Sequence, residues 1–477
     1  MGYGILSLGT YVPPMRLKRS VIYDALKWAV PGLKGLSGGE RSVGSWDEDS
    51  VTMGLEAARD CLRNSDRSIN SISLASTTFP FADRSNSGII SDALNLPAEI
   101  GNEDLFGSRR AASSALSRFF RSKSEGLLVA SDARDTKPGS TQEMLYGHGA
   151  AAVHLGEGDT IADIIAAASV HEDLVDQYRS SGVDFDYSLE ERWVREEGWL
   201  KIVPQAVNSA LREANLEVTD LEGLLVHGSV GASRALARCL KISPEKLFDN
   251  LQGSVGDCGV PQVLLMLSHG LSKIGEGECF ALIGFGQGAD VVIFRKNKEP
   301  KQPLAISSQL KNRRIIDNYN LFLSLRNQLS IDFGLRSERD NRTALSAFYR
   351  RRKEITGMVG GRCSVCGTLQ YPRSILCVKC GTDKPQVEES LSDRIGTIKS
   401  FTEDWLAYTP FPPYIYGNVE FEGGANIMVE FADFEPGSLK VGDKTRMVFR
   451  IKDFDDKRKF RRYFWKPSPI GDEKIIS

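Results

Sequence analysis

LEAARDCLRNSDRSINSISLASTT, residues 55–78, decides the fold because its phrasing returns later in the chain. It reads as an amphipathic helix, a polar turn and a β-rich strand, and VNSALREANLEVTDLEGLLVHGSV (207–230) repeats that order. A second pair of segments echoes in the same sequence. EGLLVASDARD leads on to GHGAAAVHLG (147–156), and ECFALIGFGQGADVVIFR (278–295) compresses a similar strand, Gly-rich turn and strand. The two echoes imply an internal duplication of an αβ unit of about 150 residues. Two similar halves then pack about a pseudo-twofold, and their loops meet in the middle, which gathers a site from distant segments.

Beyond the second half the pattern changes. KNKEPKQP, from Lys296, is a charged, Pro-containing linker, and IIDNYNLFLSLRNQL and ALSAFYRRRKEI follow with helical periodicity. The basic run Arg350 to Lys353 reads as a solvated helix end. Next come Cys363, Cys366, Cys377 and Cys380, spaced C-x2-C-x10-C-x2-C. Two CxxC knuckles with a glycine after each second cysteine (Gly367, Gly381) predict a zinc ribbon, with four thiolates around one structural zinc ion. DRIGTIKSFTED, YIYGNVEFEGG, ANIMVEFADF and KTRMVFRIKDF then alternate with turn signals, which predicts a small antiparallel barrel. The expected division is 1–300, an αβ domain; 301–358, a linker with helices; 359–385, the ribbon; and 386–470, the barrel.

Composition narrows the class without naming a function. The 477 residues are 41% hydrophobic and 26% charged with a formal net charge of −2, so the chain buries a sizeable core and offers no basic field for nucleic acid. The start MGYGILSLGTYVPP reads as strand and turn rather than a signal peptide, and no apolar run has the length of a membrane span. Cys61, Cys239, Cys258 and Cys279 form no disulfide framework. A cytoplasmic protein without membrane attachment is expected.

Six stretches carry a family resemblance: VGSWDEDSVTMGLEAARD, SLASTTFPFADRSNSGII, DLFGSRRAASSAL, LVASDARDTKPGSTQEMLYGHGAAAVHLG, LLVHGSVGASRALA and GFGQGADVVIF. Over residues 1–295 and 345–470 the chain resembles bacterial 3-hydroxy-3-methylglutaryl-CoA synthase relatives of the thiolase superfamily, fused to an acyl-CoA-associated OB-fold domain with a zinc ribbon. The resemblance implies a five-layered αβαβα thiolase-like fold, a homodimer, and a tunnel for the pantetheine arm of a coenzyme A thioester.

Carried over residue by residue, the family's chemistry does not fit throughout. Its cysteine nucleophile falls at Arg109, with Ser108 before it, and a guanidinium cannot attack a thioester. Its general acid/base glutamate falls at Thr77 or Thr78, and a threonine hydroxyl cannot shuttle protons near neutral pH. Its histidine is retained as His227, and the asparagine that stabilises the enolate falls at Asp257 in LQGSVGDCGVPQ. Asp257 is expected either to act as a base or to stay neutral beside His227. Cys258 is a substitute nucleophile or a small buried thiol. A cation at a helix N-terminus calls for an anion, so Arg109 is expected to meet a carboxylate, an enolate or Asp257. The Gly-rich turns GHGAAA and GFGQGA lack nucleotide-binding spacing.

Three functions fit these residues. One is carbon–carbon bond chemistry on acyl-CoA (Claisen or aldol-type condensation, cleavage or acyl transfer) without a cysteine nucleophile. A second is a non-catalytic acyl-CoA-binding subunit that scaffolds a thiolase partner. A third is nucleic-acid binding through ribbon and barrel, supported by YRRRK and KRKFRRYFWK but opposed by the near-neutral charge.

Overall fold

A computed structural model describes residues 2–63, 69–334, 344–455 and 457–470. It divides into two compact units: residues 1–45, 49–88 and 99–322 form the first, and 46–48, 89–98 and 323–477 the second.

The first unit is built on nine strands: β1 (Gly2–Tyr11), β2 (Ser71–Ala75), β3 (Gly101–Leu105), β4 (Gly126–Ala133), β5 (His148–Gly158), β6 (Ala162–His171), β7 (Leu221–Val226), β8 (Cys279–Phe285) and β9 (Gly288–Lys296). Their order across the sheet is β7-β8-β9-β6-β1-β5-β4-β2-β3. The duplication is visible in that order. Reading outward from the β6/β1 seam, each half gives an antiparallel start (β9 beside β6, β5 beside β1), then an antiparallel neighbour (β8, β4), then a parallel one (β7, β2). β3 is an extra edge strand of the first half. The seam itself is short, pairing only Gly4 with Asp163 and Ile5 with Ala162.

Helices complete the layers. α1 (Ser50–Arg63) packs on β1, β4 and β5; its first turn is capped by Asp49, whose Oδ1 accepts the Val51 and Thr52 N–H groups, each at 3.0 Å. Gly9 on β1 is required there, since a Cβ would lie 2.1 Å from the Cys61 nitrogen. α2 (Ala111–Ser122) touches β9, β6 and β4, and α4 (Gln262–Leu271) touches β5, β7, β1 and β8, so these two helices lie between the half-sheets. α3 (Val203–Ala214) covers the far face of β6 and β9 with Val203, Ala206, Val207, Ala210 and Leu211, an i, i+3, i+4, i+7, i+8 stripe. The result is the αβαβα layering of a thiolase-like fold. α4 is buried almost throughout, and its Leu264, Leu265 and Met266 join Leu116 and Phe119 of α2 in the central core.

The expected linker 301–358 is not one connector. Residues 306–322 belong to the first unit: Arg314–Ile316 pairs in parallel with Met15–Leu17, and Gln309 donates to the Thr10 carbonyl at 2.7 Å. Backbone pairing, which no side-chain pattern announces, ties this stretch down.

The second unit holds a three-stranded sheet, β10 (Val359–Cys363), β11 (Leu369–Gln370) and β12 (Gln386–Ser390), in the order β11-β10-β12. Five strands follow: β13 (Gly396–Asp404), β14 (Tyr414–Phe421), β15 (Asn426–Glu430), β16 (Lys444–Asp455) and β17 (Phe460–Pro469), in the order β15-β14-β13-β16-β17. Trp465 is fully buried, packs edge-on against Phe449, and donates through Nε1 to the Thr356 carbonyl at 2.6 Å. Residues 46–48 contribute to this unit's polar core. Lys466 donates to Asp47 at 2.8 Å and to Glu430 at 3.1 Å, and Arg450 pairs with Glu48 at 3.1 Å and Asp433 at 3.0 Å.

Candidate functional site

Loops from both halves of the first unit converge on one carboxylate, Asp257. It lies in the loop ahead of α4, anchored by its own N–H to the Leu145 carbonyl at 2.7 Å and by its carbonyl accepting Gly147 N–H at 2.9 Å. Its Oδ1 faces His227 Nε2 at 3.1 Å and Arg134 Nη2 at 3.1 Å, and accepts Gly259 N–H at 2.8 Å. Its Oδ2 lies 3.4 Å from Arg109 Nη1. Burial alone would push this carboxyl up, yet Arg134, His227 and Arg109 together hold it well below the usual carboxylate range. Asp257 is therefore ionised, and the neutral state expected as one alternative is not the one this environment favours.

His227 follows β7 directly, its N–H bonded to the Ile283 carbonyl at 3.0 Å on neighbouring β8. Its Nε2 is turned to Asp257, and its Nδ1 is buried without a hydrogen-bond partner. Arg109 sits just before α2, whose first turn brings it to the centre of the unit. Its Nη2 meets Asp176 at 2.5 Å in addition to the longer contact with Asp257. Burial lowers the affinity of the guanidinium for its proton, and the two carboxylates more than reverse this, so Arg109 stays charged.

The other residues singled out from the sequence stand apart from this cluster or have their polar groups engaged. Ser108 Oγ donates to the Gly286 carbonyl at 3.1 Å. Thr77 and Thr78 are turned to a different carboxylate: Asp132 accepts from Thr77 N–H at 2.7 Å, Thr77 Oγ1 at 3.0 Å, Thr78 Oγ1 at 3.0 Å, Ser76 Oγ at 2.9 Å and Val260 N–H at 3.0 Å. With five donors it ties β2, β4 and the Asp257 loop together. Cys258 is fully buried against Gly149, and burial pushes its thiol up to about 12, which leaves no thiolate to attack.

Sequence reasoning missed Arg134, Asp176, Arg179 and Asp186. Arg134 continues β4, with its guanidinium 3.6 Å from the centre of the Tyr146 ring and its Nη2 also donating to the Asp257 carbonyl at 2.6 Å. Asp176, Arg179 and Asp186 come from one hairpin, whose short strands Gln177–Tyr178 and Tyr187–Ser188 pair antiparallel. Arg179 bonds to Asp186 at 3.3 Å and to the Thr77 carbonyl, and Asp186 approaches Arg134 to 3.8 Å. The available signal was SDARD, already quoted as part of a motif; nothing in the hairpin sequence pointed inward. Three arginines and three aspartates thus neutralise one another beside His227.

In the second unit, the four ribbon cysteines lie with all sulfurs within 4.8 Å of one another. Cys363 and Cys380 sulfurs are 3.7 Å apart and Cys366 and Cys377 sulfurs 3.6 Å, close to the ~3.8 Å edge of a tetrahedron with 2.3 Å metal–sulfur bonds and far from a disulfide. Gly367 and Gly381 take φ values of 72° and 70°, the left-handed turns each knuckle needs. The donor set fits a thiophilic tetrahedral ion. Among the described residues no helix is long and apolar enough to cross a membrane.

Known proteins match both units. The hydroxymethylglutaryl-CoA synthase of Pyrococcus horikoshii is 26% identical over 346 residues, 69% of this chain and 97% of the relative. That of Methanobrevibacter smithii is 27% identical over 329 residues, 66% of this chain and 94% of the relative. The crystal structure of an HMG-CoA synthase complexed with CoA superposes with a TM-score of 0.60 at 17% identity, covering 72% of this chain and 95% of that one. The first unit has a thiolase-like fold, and the chain is similar to hydroxymethylglutaryl-CoA synthases. The 3-oxoacyl-(acyl carrier protein) synthase III of Pseudomonas aeruginosa gives a TM-score of 0.56 at 21% identity, covering 62% of this chain and 99% of that one, which supports the same fold. At the other end, the family described as the C-terminal OB-fold domain of ChsH2 matches residues 388–450, from within β12 into β16. The five strands around that match are the OB-fold of this thiolase-like chain.

Proposed function

We propose that the thiolase-like unit binds an acyl-coenzyme A thioester and performs aldol-type carbon–carbon bond chemistry on it without an acyl-enzyme intermediate. The observation that carries this reading is Arg109 at the head of α2, bonded to Asp176 and Asp257 where the resembling synthases place a cysteine. In the cleavage direction a base takes the proton of a β-hydroxyl group, the bond between the α and β carbons breaks, a carbonyl product leaves, and the thioester enolate is then protonated. His227, oriented through Asp257, supplies the base, and Arg109 supplies the charge that steadies the enolate. In the second unit, the ribbon cysteines hold one structural zinc ion. The protein works as a cytoplasmic homodimer.

Incubation of the purified chain with β-hydroxyacyl-CoA should release the carbonyl product and the shorter acyl-CoA, with no acyl adduct by intact mass. His227→Ala should abolish turnover. A stable acyl adduct on the wild-type chain would refute the reading.

One observation favours a second reading, an acyl-CoA-binding subunit that scaffolds a thiolase: the three arginines of the site are already matched by three aspartates of the same chain. Turnover that appears only with a co-expressed thiolase, and survives His227→Ala, would select it.

A further inference from the structure

Resting on the acyl-CoA reading above, we infer that Arg109 is a carboxylate-accepting subsite, and that the acyl group taken by this site carries a free carboxylate. Asp176 now holds that place, and it holds it poorly. It meets the guanidinium through one oxygen at Nη2, while its Oδ1 and the Arg109 Nε are both buried without hydrogen-bond partners. A guanidinium edge offers two parallel donors to a carboxylate, and the Asp176 pair uses one of them.

The surroundings show the same mismatch. Arg134 Nε and His227 Nδ1 are also buried without hydrogen-bond partners, and Arg134 Nη1 and Asp186 Oδ2 face each other at 3.8 Å, too far for a hydrogen bond, all on side chains at most 6% exposed. Buried polar groups are ordinarily satisfied, so orphans gathered from β4, β7, the α2 head and one hairpin mark a place for a polar ligand rather than a finished core. A ligand carboxylate set side-on to Arg109 takes Nε together with Nη2. Asp176 is then released to water or to Arg134 with its hairpin.

The hairpin can yield. Its hold on the unit is polar: Tyr146 hydroxyl to Gln177 Oε1 at 3.1 Å, Gln287 Nε2 to the Gln177 carbonyl at 2.9 Å, and Gln142 Nε2 to Ser188 Oγ at 2.9 Å. Its aromatic rings, Tyr178 and Tyr187, are 50% and 60% exposed and contribute little to the core. Arg109 and Asp257 keep 18% and 12% of their side chains accessible, so an incoming group reaches this pair before His227, at 1%.

Calorimetric titration of the full chain tests this with malonyl-, succinyl- and glutaryl-CoA, each against the uncharged acyl-CoA of equal carbon number (propionyl, butyryl, valeryl). At least one carboxylated thioester should bind about tenfold tighter than its uncharged match, a difference of about 1.4 kcal/mol. Arg109→Gln should bring that pair to parity. Asp176→Asn, which removes the competing charge, should tighten the carboxylated ligand further and leave the uncharged one unchanged; a purely structural role would move both alike and would overturn the proposal. Binding of all six thioesters without a carboxylate preference sinks this inference alone. Binding of none sinks the acyl-CoA reading and this inference with it.

Discussion

Replacing Asp257 by Asn keeps the side chain's shape and removes the one charge on which the site turns. Two bonds, from Arg134 and His227 at 3.1 Å each, lose their anionic acceptor and Arg134 its ion pair, while the Gly259 N–H still finds an amide oxygen. A hydrogen bond to a charged group contributes about 1.5–3 kcal/mol against about 1 kcal/mol for a neutral one, so the two together lose about 1–4 kcal/mol. Arg134 is 1% exposed and, beside the Asp257 carbonyl and the Tyr146 ring, keeps Asp186 at 3.8 Å as its remaining ion pair, which brings the expected cost to the upper part of that range, about 3 kcal/mol. The first unit has roughly 300 residues, for which unfolding entropy is about 0.6 kcal/mol per degree, so its melting temperature should fall by about 5 °C. The pH dependence gives a sharper check. Asp257 has a depressed folded pKa, so its stabilisation is fully present above the ordinary carboxyl value near 4 and is lost as pH falls through the lower folded value. Scanning calorimetry of wild type and variant at one scan rate should show a constant gap from about pH 8 to about pH 5, narrowing below about pH 4. A gap that stays constant to pH 3, or no gap at neutral pH, would refute the claim that an ionised Asp257 holds these loops together.

Three further predictions concern the second unit. Elemental analysis should find one zinc per chain, and chelation or Cys377→Ser should unfold the ribbon, read as protease cleavage within 359–385, while the first unit's melting transition stays in place. Lys466→Met leaves Asp47 and Glu430 buried without their shared cation and should lower the second unit's stability by about 3–5 kcal/mol; an unchanged denaturation midpoint for that unit would contradict the contacts at 2.8 and 3.1 Å. Trp465→Phe strips the Thr356 carbonyl of its donor and should cost about 1–3 kcal/mol, measured as a lower denaturant midpoint with the same slope.

The duplication was legible because hydrophobic periodicity is a local property: the helix–turn–strand phrase at 55–78 and at 207–230 becomes α1 with β2 and α3 with β7, at matching places in the two halves. Cysteine spacing is equally local, and the sulfurs of Cys363, Cys366, Cys377 and Cys380 do converge. For residues 306–322 the expected helices are present, at Ile306–Lys311 and from Tyr319, but their attachment to the first unit was illegible for the opposite reason. What fixes them is pairing of Arg314–Ile316 with Met15–Leu17, some 300 residues away, through backbone groups that every sequence possesses.

The site divides along the same line, and the division bears on mechanism. Position within a motif is enough to locate His227, Asp257 and Arg109, because strand ends and helix starts fix where a loop residue emerges. The charge states of Asp257 and Arg109 depend on partners that arrive from elsewhere, Arg134 from the end of β4 and Asp176 from a hairpin with no inward-pointing pattern. Asp176 and Asp186 turn an arginine that would repel neighbouring cations into one arm of a neutral network. Asp132 does the reverse at Thr77 and Thr78. Where a proton-shuttling carboxyl is expected, a carboxylate is present after all, one strand over, and five donors from the β2 end, the Thr77–Thr78 turn and the Val260 backbone engage it. The aldol reading gives proton transfer to His227, oriented through Asp257. Asp132→Asn should accordingly affect the fold of the β2 and β4 ends more than the pH dependence of turnover, and His227→Ala the reverse.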